Sequence, residues 1–170
     1  MTIKVGDTLP DGTLYEYYDA PEGVCVVGPN AFTVKDLTAG RKVVIFAVPG
    51  AFTPGCSKTH LPGFIRLAEA IRAEGVADIL CVAVNDAFVM GAWGREQGAH
   101  GKVRLLGDGS ATWTTALGLD LDLVAKGLGV RSQRYAMIVD DGVVKHLAID
   151  VAGKIEASTA EAVLAVLRAG

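Results

Sequence analysis

Two short runs constrain this chain more than any other feature: Val43-Val44-Ile45-Phe46-Ala47-Val48 and Ile79-Leu80-Cys81-Val82-Ala83-Val84. Both are rich in β-formers and apolar at every position, and a strand with no polar face must be covered on both sides. Between them Leu61, Phe64, Ile65, Ala68 and Ile71 recur at helical spacing. That spacing predicts an amphipathic helix of about 15 residues ending near Gly75. Strand, long helix, strand makes the two runs parallel neighbours. Further on, Asn85-Asp86 caps a second helix carrying Val89, Met90 and Trp93. Asp140-Asp141-Gly142, flanked by Tyr135–Val139 and Val143–Ile149, reads as a hairpin turn. Ser158-Thr159-Ala160-Glu161 has the capping-box pattern at the head of a last helix through Val163, Val166 and Leu167. The expected fold class is α/β, a mixed sheet with a parallel centre and an antiparallel C-terminal hairpin, with helices on both faces.

Composition narrows the function. The chain has 170 residues, 51% of them hydrophobic, with 16 Lys and Arg against 19 Asp and Glu for a net charge of −3. That size and hydrophobicity fit one domain over residues 1–170 with a substantial core, and exclude wholesale disorder. No basic excess exists to neutralise phosphates, so a nucleic-acid partner is not expected. No apolar run approaches the roughly 20 residues of a membrane span, and the first residues resemble neither a signal nor a transit peptide. Three widely spaced cysteines, Cys25, Cys56 and Cys81, point to a reducing compartment, and we expect a cytoplasmic protein. Residues 20–31, dense in turn formers, read as a surface excursion.

Chemistry concentrates in Pro49-Gly50-Ala51-Phe52-Thr53-Pro54-Gly55-Cys56-Ser57-Lys58-Thr59-His60. Two prolines and two glycines within Pro49 to Gly55 impose an irregular loop between a central strand and a helix, where open α/β sheets place ligands. Cys56 then falls in the first helical turn, where unpaired N–H groups and the positive dipole end favour a thiolate. Thr53 aims a hydroxyl at the same point. Against this stands the usual fate of a free cysteine, which is an inert place in a core. His60, four residues after Cys56, looks like half of a metal site or of a Cys/His nucleophile pair. It lacks further ligands or an orienting carboxylate, so it reads as structural, and neither metal nor cofactor is expected. His100 and His146 read as surface residues, and Phe88 and Trp93 as packing residues.

The segment from Pro49 to Cys56 resembles the active-site loop of the peroxiredoxins, in particular the type II or peroxiredoxin-5 subfamily. Lys58-Thr59-His60-Leu61-Pro62-Gly63-Phe64, Val84-Asn85-Asp86-Ala87-Phe88-Val89, Gly101-Lys102-Val103-Arg104-Leu105-Leu106 and Gly129-Val130-Arg131-Ser132-Gln133-Arg134-Tyr135 match as well. The similarity covers nearly the whole chain, and only residues 12–31 look like a local insertion. It implies a thioredoxin-like fold and a thiol-dependent peroxidase acting on hydrogen peroxide and alkyl hydroperoxides. Cys56 becomes the peroxidatic cysteine, Thr53 and Arg134 its polar partners, and Pro49 the shield of the pocket. The Gly55 and Cys56 amides become the peroxide cradle. Arg131 competes with Arg134. One of the two reads as a solvated surface residue, and the family pattern selects Arg134 because it directly precedes the aromatic that opens a strand.

Free cysteine ionises near 8.5, so about 3% is thiolate at neutral pH and full ionisation gains only about 30-fold, on the order of 2 kcal/mol. The larger share of catalysis must come from groups that hold the peroxide and meet charge on the leaving oxygen. In some members of the family a cysteine in the segment matching residues 154–160 resolves the sulfenic acid, and here Lys154 to Ala160 contains none. Cys81 reads as a core hydrophobe, and Cys25 has no role by resemblance. The resemblance therefore implies a one-cysteine enzyme recycled by glutathione and glutaredoxin, or by thioredoxin, and a homodimer. A cysteine hydrolase, and a redox-sensing or chaperone-like binding module switched by Cys56 oxidation, are the competing functions.

Overall fold

The computed structural model describes residues 1–18 and 28–170. The two apolar runs are β3 (Lys42–Ala47) and β4 (Asp78–Ala83), paired in parallel with Ile45 opposite Leu80. They lie at the centre of a seven-stranded sheet with β1 (Thr13–Glu16), β2 (Asn30–Thr33), β5 (Arg104–Gly107), β8 (Tyr135–Asp140) and β9 (Val143–Ile149), in the order β2-β1-β5-β4-β3-β8-β9. β5 continues the parallel centre, and the remaining pairings are antiparallel. This is the thioredoxin-like arrangement. A separate hairpin, β6 (Asp120–Leu123) with β7 (Gly129–Ser132), stands apart from the sheet.

Strand alternation divides the core in two. Val44, Phe46, Ile79 and Cys81 face one layer with Phe64, Ile71, Met90, Trp93 and Val163, whereas Val43, Ile45, Leu80 and Val82 face another with Leu14, Leu37 and Trp113. Helices α2 (Leu61–Arg66), α3 (Ala68–Ala73), α4 (Ala87–Gln97) and α6 (Ala160–Ala169) supply the first layer; α1 (Val34–Thr38) and α5 (Thr112–Ala116) supply the second. Among the described residues no helix is long and apolar enough to cross a membrane.

Local signals are realised with instructive shifts. Asp86 caps α4 by accepting from Val89 N, and Asp141 and Gly142 turn the C-terminal hairpin at φ 48° and 77°. The cap of α6 is Thr159, which accepts from Ala162 N, rather than the first residue of the capping-box pattern. Ser158 is fully buried and engaged elsewhere, as described below. The long amphipathic helix is divided at Leu67 and begins with a π-helical turn, Cys56–His60, in which Leu61 N reaches back to Cys56 O. Pro62 explains the widening: it has no N–H to offer the preceding turn, and its ring would clash with the carbonyl of Lys58. Both ends of the apparent insertion are strands: β1 pairs with β2 and, through Tyr15, with Gly107 of β5. Cys25 lies outside the described residues.

Candidate active site

The π-helical turn sits at the C-terminal end of β3 and carries Cys56 and His60, both about 1% exposed. Upstream, Thr53 Oγ1 donates to Gly50 O at 2.6 Å, and Ala51 N donates to Asn85 Oδ1 at 3.0 Å, which ties the loop to the head of α4. The first backbone bond of the turn runs from Ser57 N to Thr53 O at 3.0 Å. The Gly55 and Cys56 amides precede it and are left without an intrahelical acceptor. The loop is tightly packed at its glycines: a Cβ on Gly50 would stand 3.1 Å from Thr53 Cγ2, and one on Gly55 3.1 Å from Ile155 Cδ1, so either neighbour would have to shift slightly.

Arg134 arrives from the opposite end of the chain. It lies in the two-residue break between β7 and β8, where strand parity no longer sets which way a side chain faces. Its Nη2 donates to Cys56 Sγ at 3.2 Å and its Nη1 to His60 Nδ1 at 2.8 Å. A guanidinium only donates, so Nδ1 is the acceptor and the imidazole proton sits on Nε2. From there it is given to Ser158 O at 2.8 Å and is shared with Ser158 Oγ at 3.2 Å. Burial, reinforced by the Arg134 charge and opposed by the Ser158 carbonyl, holds the His60 pKa down at about 4, so the ring is the neutral acceptor this geometry requires.

Ser158 Oγ donates to Asp150 Oδ2, which also accepts from Ser158 N at 3.3 Å, while Oδ1 accepts from Glu156 N at 3.2 Å and Ala157 N at 2.7 Å. Burial pushes the Asp150 carboxyl upward, but the Ser158 hydroxyl and these amides together keep it below the ordinary carboxylate value. Asp150 N in turn donates to Arg134 O at 2.9 Å. Asp150, Ser158 and His60 thus form a closed ring of hydrogen bonds through Arg134. His60 shares a helix face with Cys56 in the sequence and reads there as structural; some ninety residues further on, Ser158 reads only as the first residue of a capping box, and Asp150 carries no sequence signal.

Arg131 is not the solvated surface residue that one of the two arginines was expected to be. Its Nε donates to Leu128 O at 2.8 Å and its Nη1 to Val84 O at 3.4 Å, which fastens β7 to the end of β4. Pro49, Gly55 and Arg134 together line a cleft of about 350 Å³ beside the cysteine. Cys81 is fully buried in β4, on the sheet face that also packs against Cys56; burial and the proximity of Cys56 push its thiol well above the usual range. Trp93, fully buried, donates Nε1–H to Ser57 Oγ at 3.0 Å, whereas Phe52 and Phe88 are half-exposed. His100 is exposed and meets Tyr18 edge-on.

The redoxin family matches residues 4–164 of this chain. Peroxiredoxin-2E-2, chloroplastic, of Oryza sativa is 53% identical over 98% of the chain and 73% of its own length; peroxiredoxin-2C of the same species is 48% identical over 97% and 98%. The chain is a type II peroxiredoxin. Its fold is that of reduced Prx3 of Vibrio vulnificus, solved in complex with hydrogen peroxide, with a TM-score of 0.89 and 48% identity over 98% of this chain and 97% of the other. A peroxiredoxin is a thiol peroxidase.

Proposed function

We propose that this peroxiredoxin reduces hydrogen peroxide and alkyl hydroperoxides with Cys56 as its single reacting cysteine, and that glutathione with glutaredoxin recycles it. The observation that carries the reading is the buried Cys56 sulfur held by Arg134 Nη2 at 3.2 Å, with no cysteine in residues 154–160. The Cys56 thiolate attacks the terminal oxygen of the peroxide, the S–O bond forms as the O–O bond breaks, and the other oxygen leaves as alkoxide or hydroxide and takes a proton. Arg134 faces the charge that grows on the leaving oxygen, while its contact with His60 keeps the fork from turning. The Thr53 hydroxyl proton is committed to Gly50 O, so Thr53 offers the peroxide lone pairs and accepts its O–H. Glutathione then displaces water from the sulfenic acid to give a mixed disulfide, and a second thiol releases Cys56 and glutathione disulfide.

Cys81 supports the one-cysteine reading because a fully buried thiol whose ionisation is suppressed is a poor resolving nucleophile. The test is steady-state turnover with glutathione and glutaredoxin. Cys56→Ser abolishes it, whereas Cys25→Ser and Cys81→Ser each retain at least half. An intramolecular disulfide of Cys56 with either cysteine, trapped in oxidised wild type and needed for turnover, overturns the reading. We also propose a homodimer anchored on the half-exposed Phe52 and Phe88, at the active-site loop and the head of α4.

A further inference from the structure

The cleft beside Cys56 carries more than a peroxide needs. Its walls include Leu121 and Leu123 of β6 and Val151 and Ile155 of the segment after β9, and Lys126 and Lys154 line it as well. Hydrogen peroxide has no apolar surface to bury and no charge to pair. A cleft of about 350 Å³ falls in the size range of small-molecule sites, whose apolar linings bind a ligand body while a few polar groups set its orientation.

The charges of the lining are lopsided. Lys126, Lys154 and Arg134 are cations, and Asp150 is the one carboxylate. Both Asp150 oxygens are already occupied by the Ser158 hydroxyl and the three amides of residues 156–158. Both lysines are exposed, and neither forms an ion pair among the described residues. A positive cleft on a molecule of net charge −3 is a local arrangement and not a reflection of the whole. Arg134 marks the reacting end, since it holds Cys56, and the lysines come from β6–β7 and the 150–155 segment. We infer that the cleft selects organic hydroperoxides whose apolar body also carries an anionic group such as a carboxylate, with Lys126 and Lys154 receiving that anion. This rests on the peroxidase reading and adds to it the class of preferred substrate.

The experiment compares hydrogen peroxide, cumene hydroperoxide and the para-carboxylate of cumene hydroperoxide by stopped-flow oxidation, following Trp93 fluorescence. Wild type, Lys126→Gln, Lys154→Gln and the double variant are used. At low ionic strength the carboxylate is expected to react at least about five-fold faster than its neutral parent in wild type, in keeping with one or two exposed ion pairs. The advantage should shrink in each single variant, disappear in the double variant and fade in ~0.5 M salt, where charges are screened within a few ångströms. Rates with hydrogen peroxide stay unchanged throughout. The inference is overturned if wild type shows no preference, if the preference survives the double substitution, or if the substitutions slow neutral and charged peroxides alike. It is overturned equally if they slow only the reaction of glutathione with the sulfenic acid, because the lysines then serve the reductant's carboxylates. Failure of wild type to reduce hydrogen peroxide at all would instead sink the peroxidase reading beneath it.

Discussion

Arg134 divides its terminal nitrogens between the reacting sulfur and a buried histidine, and this division cannot be copied by lysine. An ammonium is a point charge that retains attraction for the thiolate but loses the planar fork. Arg134→Lys is therefore expected to lower the second-order rate with peroxide by at least ~100-fold, about 2.7 kcal/mol of transition-state stabilisation. Arg131→Lys disturbs bonds to Leu128 O and Val84 O but none to the Cys56 sulfur, and should cost much less than Arg134→Lys. Stopped-flow oxidation of both variants checks the order, and a reversed order refutes the assignment. Trp93 suits the measurement because its indole bonds the residue next to Cys56, whereas Trp113 donates to Pro10 O in the other core layer.

At the scale of elements, the segment joining β9 to α6 lines the cleft and also reaches Arg134 through His60. It presents Ser158 and Asp150 to His60, so its order and the setting of Arg134 are coupled. This coupling has a pH signature. His60 titrates near 6.5 when unfolded and about 4 when folded, so between these values the unfolded chain binds the extra proton. Stability is complete above pH 6.5 and is lost as pH falls toward 4, by up to the order of 3 kcal/mol for a gap of this width. Asp150, lowered in the fold, adds a second loss at still lower pH as its carboxylate is protonated. Urea unfolding across pH should show the first slope in wild type and its flattening in His60→Asn. An unchanged slope in a folded His60→Asn would assign the effect to other groups. Ser158→Ala leaves the Ser158 carbonyl on His60 but removes a donor from Asp150, with an expected cost of about 1–3 kcal/mol. It should also reduce the peroxide rate, since His60 then holds Arg134 less firmly. Full activity in Ser158→Ala would separate the ring from catalysis.

Across the whole molecule, the β1–β2 hairpin is held to the parallel centre by charge. Arg104 of β5 donates to Glu16 Oε1 at 2.9 Å and Oε2 at 3.1 Å, and to Asp78 Oδ2 at 3.1 Å, and Arg41 also reaches Asp78. Glu16 is 2% exposed, so Arg104→Met would leave a buried carboxylate without its cation, held only by the Tyr18 hydroxyl, and is expected to cost on the order of 3 kcal/mol in urea unfolding. The active site lies on another part of the sheet, so peroxide turnover of the folded variant should remain near wild type. Self-association belongs to the same scale: light scattering at high micromolar concentration should give twice the mass of the chain. Phe52→Ser with Phe88→Ser should shift it to one, and a wild type that stays monomeric rules the dimer out.

Much of this protein is legible in its sequence because the signals are local. All-apolar strands demand cover on both faces, an acidic residue caps α4, a turn-forming pair closes the last hairpin, and a rigid loop presents Cys56 at a helix start. The tertiary structure decided what depends on distant residues meeting. It brought Arg134, and not Arg131, into contact with the Cys56 sulfur, and it widened the Cys56 turn because Pro62 withholds an N–H. It also enlisted Ser158, which sequence pattern places at a helix cap, and Asp150, which no sequence pattern marks. A buried polar group must find a partner wherever the fold supplies one, and no spacing along the chain records that choice.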